Sequence, residues 1–108
     1  MYFVTTVEHP REALERVRDD PLSFDLVVTD FNMPELNGLE LAIELAALRP
    51  GLPVAISSGF VSDELRSAAL DRGVRALLQK EYTLEQLPQL VHHLLRGAQA
   101  PEAAVVSG

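Results

Sequence analysis

The sequence has no cysteine, and lysine occurs once, as Lys80, among nine basic residues. Without cysteine there is no disulfide scaffold, no cysteine-ligated zinc or iron–sulfur site and no thiol nucleophile. The same lack fits a reducing compartment, so the expected location is the cytoplasm. Basic charge is scarce as well: 16 acidic residues against 9 basic give a net charge of -7. That is the wrong sign for direct attachment to nucleic-acid phosphates or anionic lipid. No window approaches the ~18 consecutive apolar residues of a membrane-spanning helix. Met1-Tyr2-Phe3-Val4 is neither charged nor long enough to open a signal peptide. Apolar residues are plentiful by contrast, at 47% of 108. A chain of this size makes one domain, which buries roughly 60 to 70% of its unfolded surface.

Strand and helix patterns alternate along the chain. Tyr2 to Val7 is a short β-prone run, and Pro10 stands where a first helical residue tolerates it. Ala13, Leu14 and Val17 then recur at helical spacing up to the loop Asp19-Asp20-Pro21. Leu26-Val27-Val28 is apolar on both faces, as a strand covered by helices on both sides must be, and ends at Thr29-Asp30. Asn37 and Glu40 have capping-box spacing before a helix whose buried stripe is Leu41, Ala42, Leu45 and Leu48, and Pro50-Gly51 stops it. Pro53 to Ser58 is a third strand closed by Gly59. Ser62 caps a helix carrying Leu65, Ala68 and Ala69, which Gly73 ends. Val74 to Gln79 is a fourth strand. Thr83 caps a last helix with Leu87, Leu90, Val91, Leu94 and Leu95 apolar; Pro88 within it predicts a late start or a bend. Residues 97–108 are small, lack periodicity and contain Pro101, which predicts a flexible tail after a domain at 1–96. The pattern implies a three-layer α/β domain, a parallel sheet with helices on both faces, whose function collects at the C-terminal strand ends.

Asp30, Ser58 and Lys80 each follow a different strand run. On adjacent parallel strands they would converge at one edge of the sheet. Chemically they form a set: a carboxylate can accept a phosphoryl group, a hydroxyl can hydrogen-bond its oxygens and an ammonium can neutralise it.

The continuous stretch from Asp25-Leu26-Val27-Val28-Thr29-Asp30-Phe31-Asn32-Met33-Pro34 to Glu35-Leu36-Asn37-Gly38-Leu39-Glu40-Leu41 resembles the receiver domain of two-component signalling. Leu52-Pro53-Val54 to Gly59-Phe60, Gly73-Val74-Arg75-Ala76 and Lys80 extend the resemblance over about residues 2 to 95. Ser57-Ser58-Gly59-Phe60 and the run from Leu77 to Glu85 are most similar to receivers at the C-terminus of hybrid histidine kinases. The resemblance implies a flavodoxin-like (CheY-like) fold that accepts a phosphoryl group from a histidine kinase or phosphotransfer domain and is not itself an enzyme. It implies Asp30 as phosphoacceptor, Ser58 as switch hydroxyl, Lys80 as ion pair to the phosphate, and Mg²⁺ held by Asp30 and the backbone carbonyl of Asn32.

The family's first strand, which ends in an acidic pair for Mg²⁺, and its first helix have no counterpart before Tyr2. Weak or absent Mg²⁺ binding and impaired phosphorylation are therefore expected. The one pair of adjacent aspartates, Asp19-Asp20, falls in a loop at the wrong end of the sheet and reads as a solvated turn, and Glu8 reads as a loop residue. Without that first strand, 25–30 would show an unpaired apolar edge. The expectation is either a fragment of a longer protein or a truncated receiver that borrows a partner's strand or pairs its edges differently, with a homodimer through this edge as one outcome. Glu81 stands where the family has a proline, which predicts a trans 80–81 peptide. Leu77 replaces an aromatic switch residue, so any readout runs through backbone or helix shifts.

Two other functions compete. One is a receiver-like interaction module that takes no phosphate. The other is a phosphatase of the haloacid dehalogenase type, which wants a second Asp where Asn32 stands. The adjacent His92 and His93 cannot share a helix face, which argues against a metal pair, and His9 reads as a helix-start residue.

Overall fold

The computed structural model describes residues 3–33, 36–79, 83–95 and 101–106. Strand β1 (Phe3–Val7) leads into α1 (Pro10–Asp19), β2 (Leu26–Asp30) into α2 (Gly38–Leu48), and β3 (Val54–Ser58) into α3 (Asp63–Asp71). Then come β4 (Ala76–Gln79), α4 (Thr83–Leu94) and β5 (Glu102–Val106). All five strands join one parallel sheet in the order β1-β5-β2-β3-β4. This is the expected flavodoxin-like α/β class.

Local chemistry sets most boundaries where the sequence predicts them. Pro10 opens α1. The Asn37 side chain accepts from the Glu40 N–H at 2.8 Å while the Glu40 carboxylate accepts from the Asn37 N–H at 3.1 Å, completing the capping box. Ser62 caps α3 by accepting from the Leu65 N–H at 3.0 Å. Gly51 and Gly73 follow α2 and α3 at φ of 90° and 83°, where a side chain would be strained. Pro88 lies inside α4, which starts at Thr83 rather than late.

The core has two layers. On one face of the sheet Val7, Val27, Ile56, Ala104 and Val106 meet Ala13 and Val17 of α1 and Leu41 and Leu45 of α2. On the other, Leu26, Val28, Ala55, Leu78 and Ala103 meet Leu87, Leu90 and Val91 of α4. The β1-to-β2 connection crosses the sheet one way with its helix on the first face. The β4-to-β5 connection crosses the opposite way with its helix on the second, so the two have the same hand. Leu48, expected on the buried stripe of α2, is exposed.

Two expectations need correction. Glu102–Val106, assigned to a flexible tail, is a strand between β1 and β2, with Ala103, Ala104 and Val106 buried. Small residues with no period carry little strand signal of their own, but two facing strand edges with unpaired N–H and C=O groups supply it. The edge of β2 expected to be open is paired with β5 from Leu26↔Ala103 to Thr29↔Val106. The homodimer through that edge therefore loses its basis.

Candidate functional site

The C-terminal strand ends are held in register by the sheet. Asp30, half-buried, lies opposite Ser57 at the end of β2, and Ser58 lies opposite Gln79 at the end of β3. Lys80, one residue past β4, and the 80–81 peptide lie outside the described residues, so two of the three predicted side chains are seen on one edge.

Backbone contacts fix the loop that leaves Asp30. The Phe31 N–H donates to the Ser57 carbonyl at 2.8 Å, and the Gly38 N–H donates to the Phe31 carbonyl at 2.8 Å. The hydroxyl of the fully buried Thr29 donates to the Asp30 carbonyl at 3.1 Å. Gly38 makes a close approach possible, because a Cβ there would stand 2.6 Å from the Asp30 carbonyl oxygen. The start of α2 is thereby pressed against the backbone of Asp30. Thr29 and the tight packing at Gly38 were not singled out as site features from sequence. A threonine directly before the strand-end carboxylate was the available signal for Thr29.

The Ser58 hydroxyl is turned onto its own loop. It donates to the Phe60 carbonyl at 2.8 Å and accepts from the Phe60 N–H at 3.3 Å. Phe60 itself is 77% exposed. Beside Asp30 an open groove of about 650 Å³ is lined by Phe31, Asn32, Leu39, Ser58, Phe60 and Leu65, among others. Leu77, in place of an aromatic, packs half-buried against the first core layer.

The oxygen donors at this edge are few. Among the described residues no group of three or more His, Asp or Glu side chains could hold a metal. Asp19 and Asp20 are exposed at the end of α1, Glu8 is exposed just past β1, and His9, His92 and His93 are exposed. β5 brings no acidic side chain to the site in its described part, for Val106 closes it opposite Val7 and Thr29. Of the donors expected for Mg²⁺, Asp30 ends β2 and Asn32 lies two residues on, lining the groove. They suit an ion that keeps several waters and takes further oxygens from a phosphoryl group.

The response regulator receiver domain model matches residues 1–92. The chain belongs to this family. Two-component response regulator ARR12 of Arabidopsis thaliana is 33% identical over 95 residues, 88% of this receiver chain. The chain spans only 16% of the length of that relative. Vibrio cholerae chemotaxis protein CheY4 superposes with a TM-score of 0.74 at 19% identity, over 87% of this chain and 98% of CheY4. The receiver domain of the histidine kinase CKI1 from Arabidopsis thaliana, solved with Mg²⁺ and BeF3-, gives a TM-score of 0.68 at 24% identity, over 81% of this chain and 68% of that one. These structural likenesses show the shared fold. In the described part of this receiver no helix is long and apolar enough to cross a membrane.

Proposed function

We propose that this receiver takes a phosphoryl group onto Asp30 from the phosphohistidine of a histidine kinase or phosphotransfer domain. The donor N–P bond breaks as a bond from an Asp30 carboxylate oxygen to phosphorus forms; the product is an acyl phosphate, and the freed imidazole nitrogen regains a proton when it needs one. The observation that carries the reading is Asp30 at the end of a central strand, one strand away from the hydroxyl of Ser58, beside an open groove. Family membership supports it.

Phosphorylation adds ~1.5 to 2 negative charges at a half-buried position. In this reading Lys80 neutralises part of that charge, and the Ser58 hydroxyl leaves Phe60 to donate to a phosphoryl oxygen. The 58–60 turn would then lose both side-chain bonds that hold it, and the exposed Phe60 ring would report the change without an aromatic at position 77. Mg²⁺, when bound, supplies further neutralisation at the phosphoryl oxygens, held by Asp30 and the Asn32 carbonyl. So thin a set implies weak binding and slow phosphorylation. The activity is self-phosphorylation rather than turnover of a substrate, and the setting is the cytoplasm. A place in a hybrid histidine kinase rests on the Ser57–Phe60 and Leu77–Glu85 stretches alone.

Intact-mass spectrometry after incubation with acetyl phosphate and Mg²⁺ tests the reading. A gain of one phosphoryl group that disappears in Asp30→Asn is the expected result; a gain that survives the substitution, or none at all, refutes it. The second outcome would favour an interaction module that takes no phosphate, the reading to which the scarcity of metal-ligating carboxylates points. Membership of the receiver family leaves the phosphatase reading without support.

A further inference from the structure

The phosphoacceptor reading makes no use of Met33. The sequence has two methionines, Met1 and Met33, and no cysteine, so thioethers are its only sulfur groups. A peroxide that meets this chain finds no thiol to consume it first, and methionine is the side chain left for it to oxidise. Met33 lies three residues past Asp30, half-buried and packed against the first core layer. Its side chain is within reach of a small oxidant and still held by its surroundings.

The Met33 sulfur has a polar partner inside the protein. The Thr29 hydroxyl stands 3.6 Å from it and 3.1 Å from the Asp30 carbonyl oxygen. One hydroxyl carries one proton, so two acceptors share a single donor. A thioether is the weaker acceptor and leaves that proton to the carbonyl. Thr29 is fully buried, so its hydroxyl has no solvent to turn to. The same carbonyl is crowded by the start of α2, where a Cβ on Gly38 would stand 2.6 Å from its oxygen. A change of acceptor at Thr29 is therefore felt at the backbone of Asp30.

We propose that Met33 is an oxidation site through which a peroxide loosens the hold on Asp30. The thioether sulfur attacks one oxygen of hydrogen peroxide: an S–O bond forms as the O–O bond breaks, sulfur is oxidised by two electrons, and the other oxygen leaves as water. The product is a polar sulfoxide in place of an apolar thioether. Its oxygen is a strong acceptor on the atom that already faces Thr29, so the hydroxyl proton passes to it and the Asp30 carbonyl loses its side-chain donor. Slower phosphorylation follows, a consequence that rests on the phosphoacceptor reading.

Full-length, isotopically labelled protein is treated with hydrogen peroxide, and peptide mass spectrometry locates the added oxygen. NMR reads the Asp30 carbonyl carbon, and intact mass reads the rate of phosphoryl gain from acetyl phosphate with Mg²⁺. The expected result is an added oxygen on Met33, a displaced Asp30 carbonyl resonance and a several-fold slower gain, all reversed by methionine sulfoxide reductases. Met33→Leu keeps Met1 and a similar side-chain volume, and neither readout is expected to respond to peroxide. In Thr29→Val, Met33 still takes oxygen but the Asp30 resonance stays where the substitution puts it. No oxygen on Met33 under conditions that oxidise free methionine, an unmoved resonance, or an equal displacement in Thr29→Val overturns the proposal. So does an unchanged rate in protein that takes a phosphoryl group. If untreated protein takes none, the phosphoacceptor reading fails, and the Asp30 resonance still decides whether Met33 is the site.

Discussion

The Asp30 carbonyl is held by residues that carry no charge. Thr29 pins the Asp30 carbonyl from the buried side, and Gly38 lets α2 come within the space a methyl group would fill. Replacing Gly38 by Ala puts a carbon 2.6 Å from that carbonyl oxygen, and backbone has no rotamer with which to yield. The helix-propensity gain of up to about 1 kcal/mol is outweighed by a packing conflict of typically 1 to 3 kcal/mol. Gly38→Ala is expected to lower the urea midpoint and, on the proposed reading, to slow phosphorylation of Asp30; an unchanged midpoint would show that the loop yields freely. At this scale much of the site was legible, since Asp30 and Ser58 stand where their strand runs end. What stayed hidden was the contact between Gly38 and Asp30, because eight positions in sequence say nothing about a 2.6 Å approach.

Helix starts were the most readable elements, because a cap is a contact between residues three apart. Asn37 and Glu40 make both bonds of their box, and Ser62 makes its bond to Leu65. Asn37→Ala removes the cap acceptor and is expected to cost about 1 kcal/mol. In a domain of this size that lowers the melting temperature by about 4 °C or more, as a calorimetric or dichroism melt would read it. Helix faces were less readable. Leu48 fits the apolar period of α2 yet is exposed, lining a surface depression with Leu14 and Ala47. The period locates one side of a helix but not where the layer beneath it ends. Strand β5 was the least readable, since Ala103-Ala104 has no strand preference and takes its conformation from the neighbours on either side.

At the scale of the molecule, the sheet is continuous because a C-terminal segment occupies a central place in it. A flexible tail and a central strand answer differently to a buried charge. Ala104 is fully enclosed between Thr5 and Val27 in the ladder, so Ala104→Asp is expected to destabilise the domain by on the order of 3 kcal/mol or more. Denaturant unfolding checks this, and a tail would show no change. The sequence by itself determined the class of the fold, the helix caps, the two strand-end residues seen at the site and the family, since each rests on local spacing or on a colinear motif. The tertiary structure alone decided that residues 102–106 are a strand, that the edge of β2 is closed and that the Ser58 hydroxyl rests on Phe60. Each of these is fixed by groups that meet only after folding: a strand with weak propensity forms because two strands distant in sequence leave their hydrogen-bonding groups facing one empty slot.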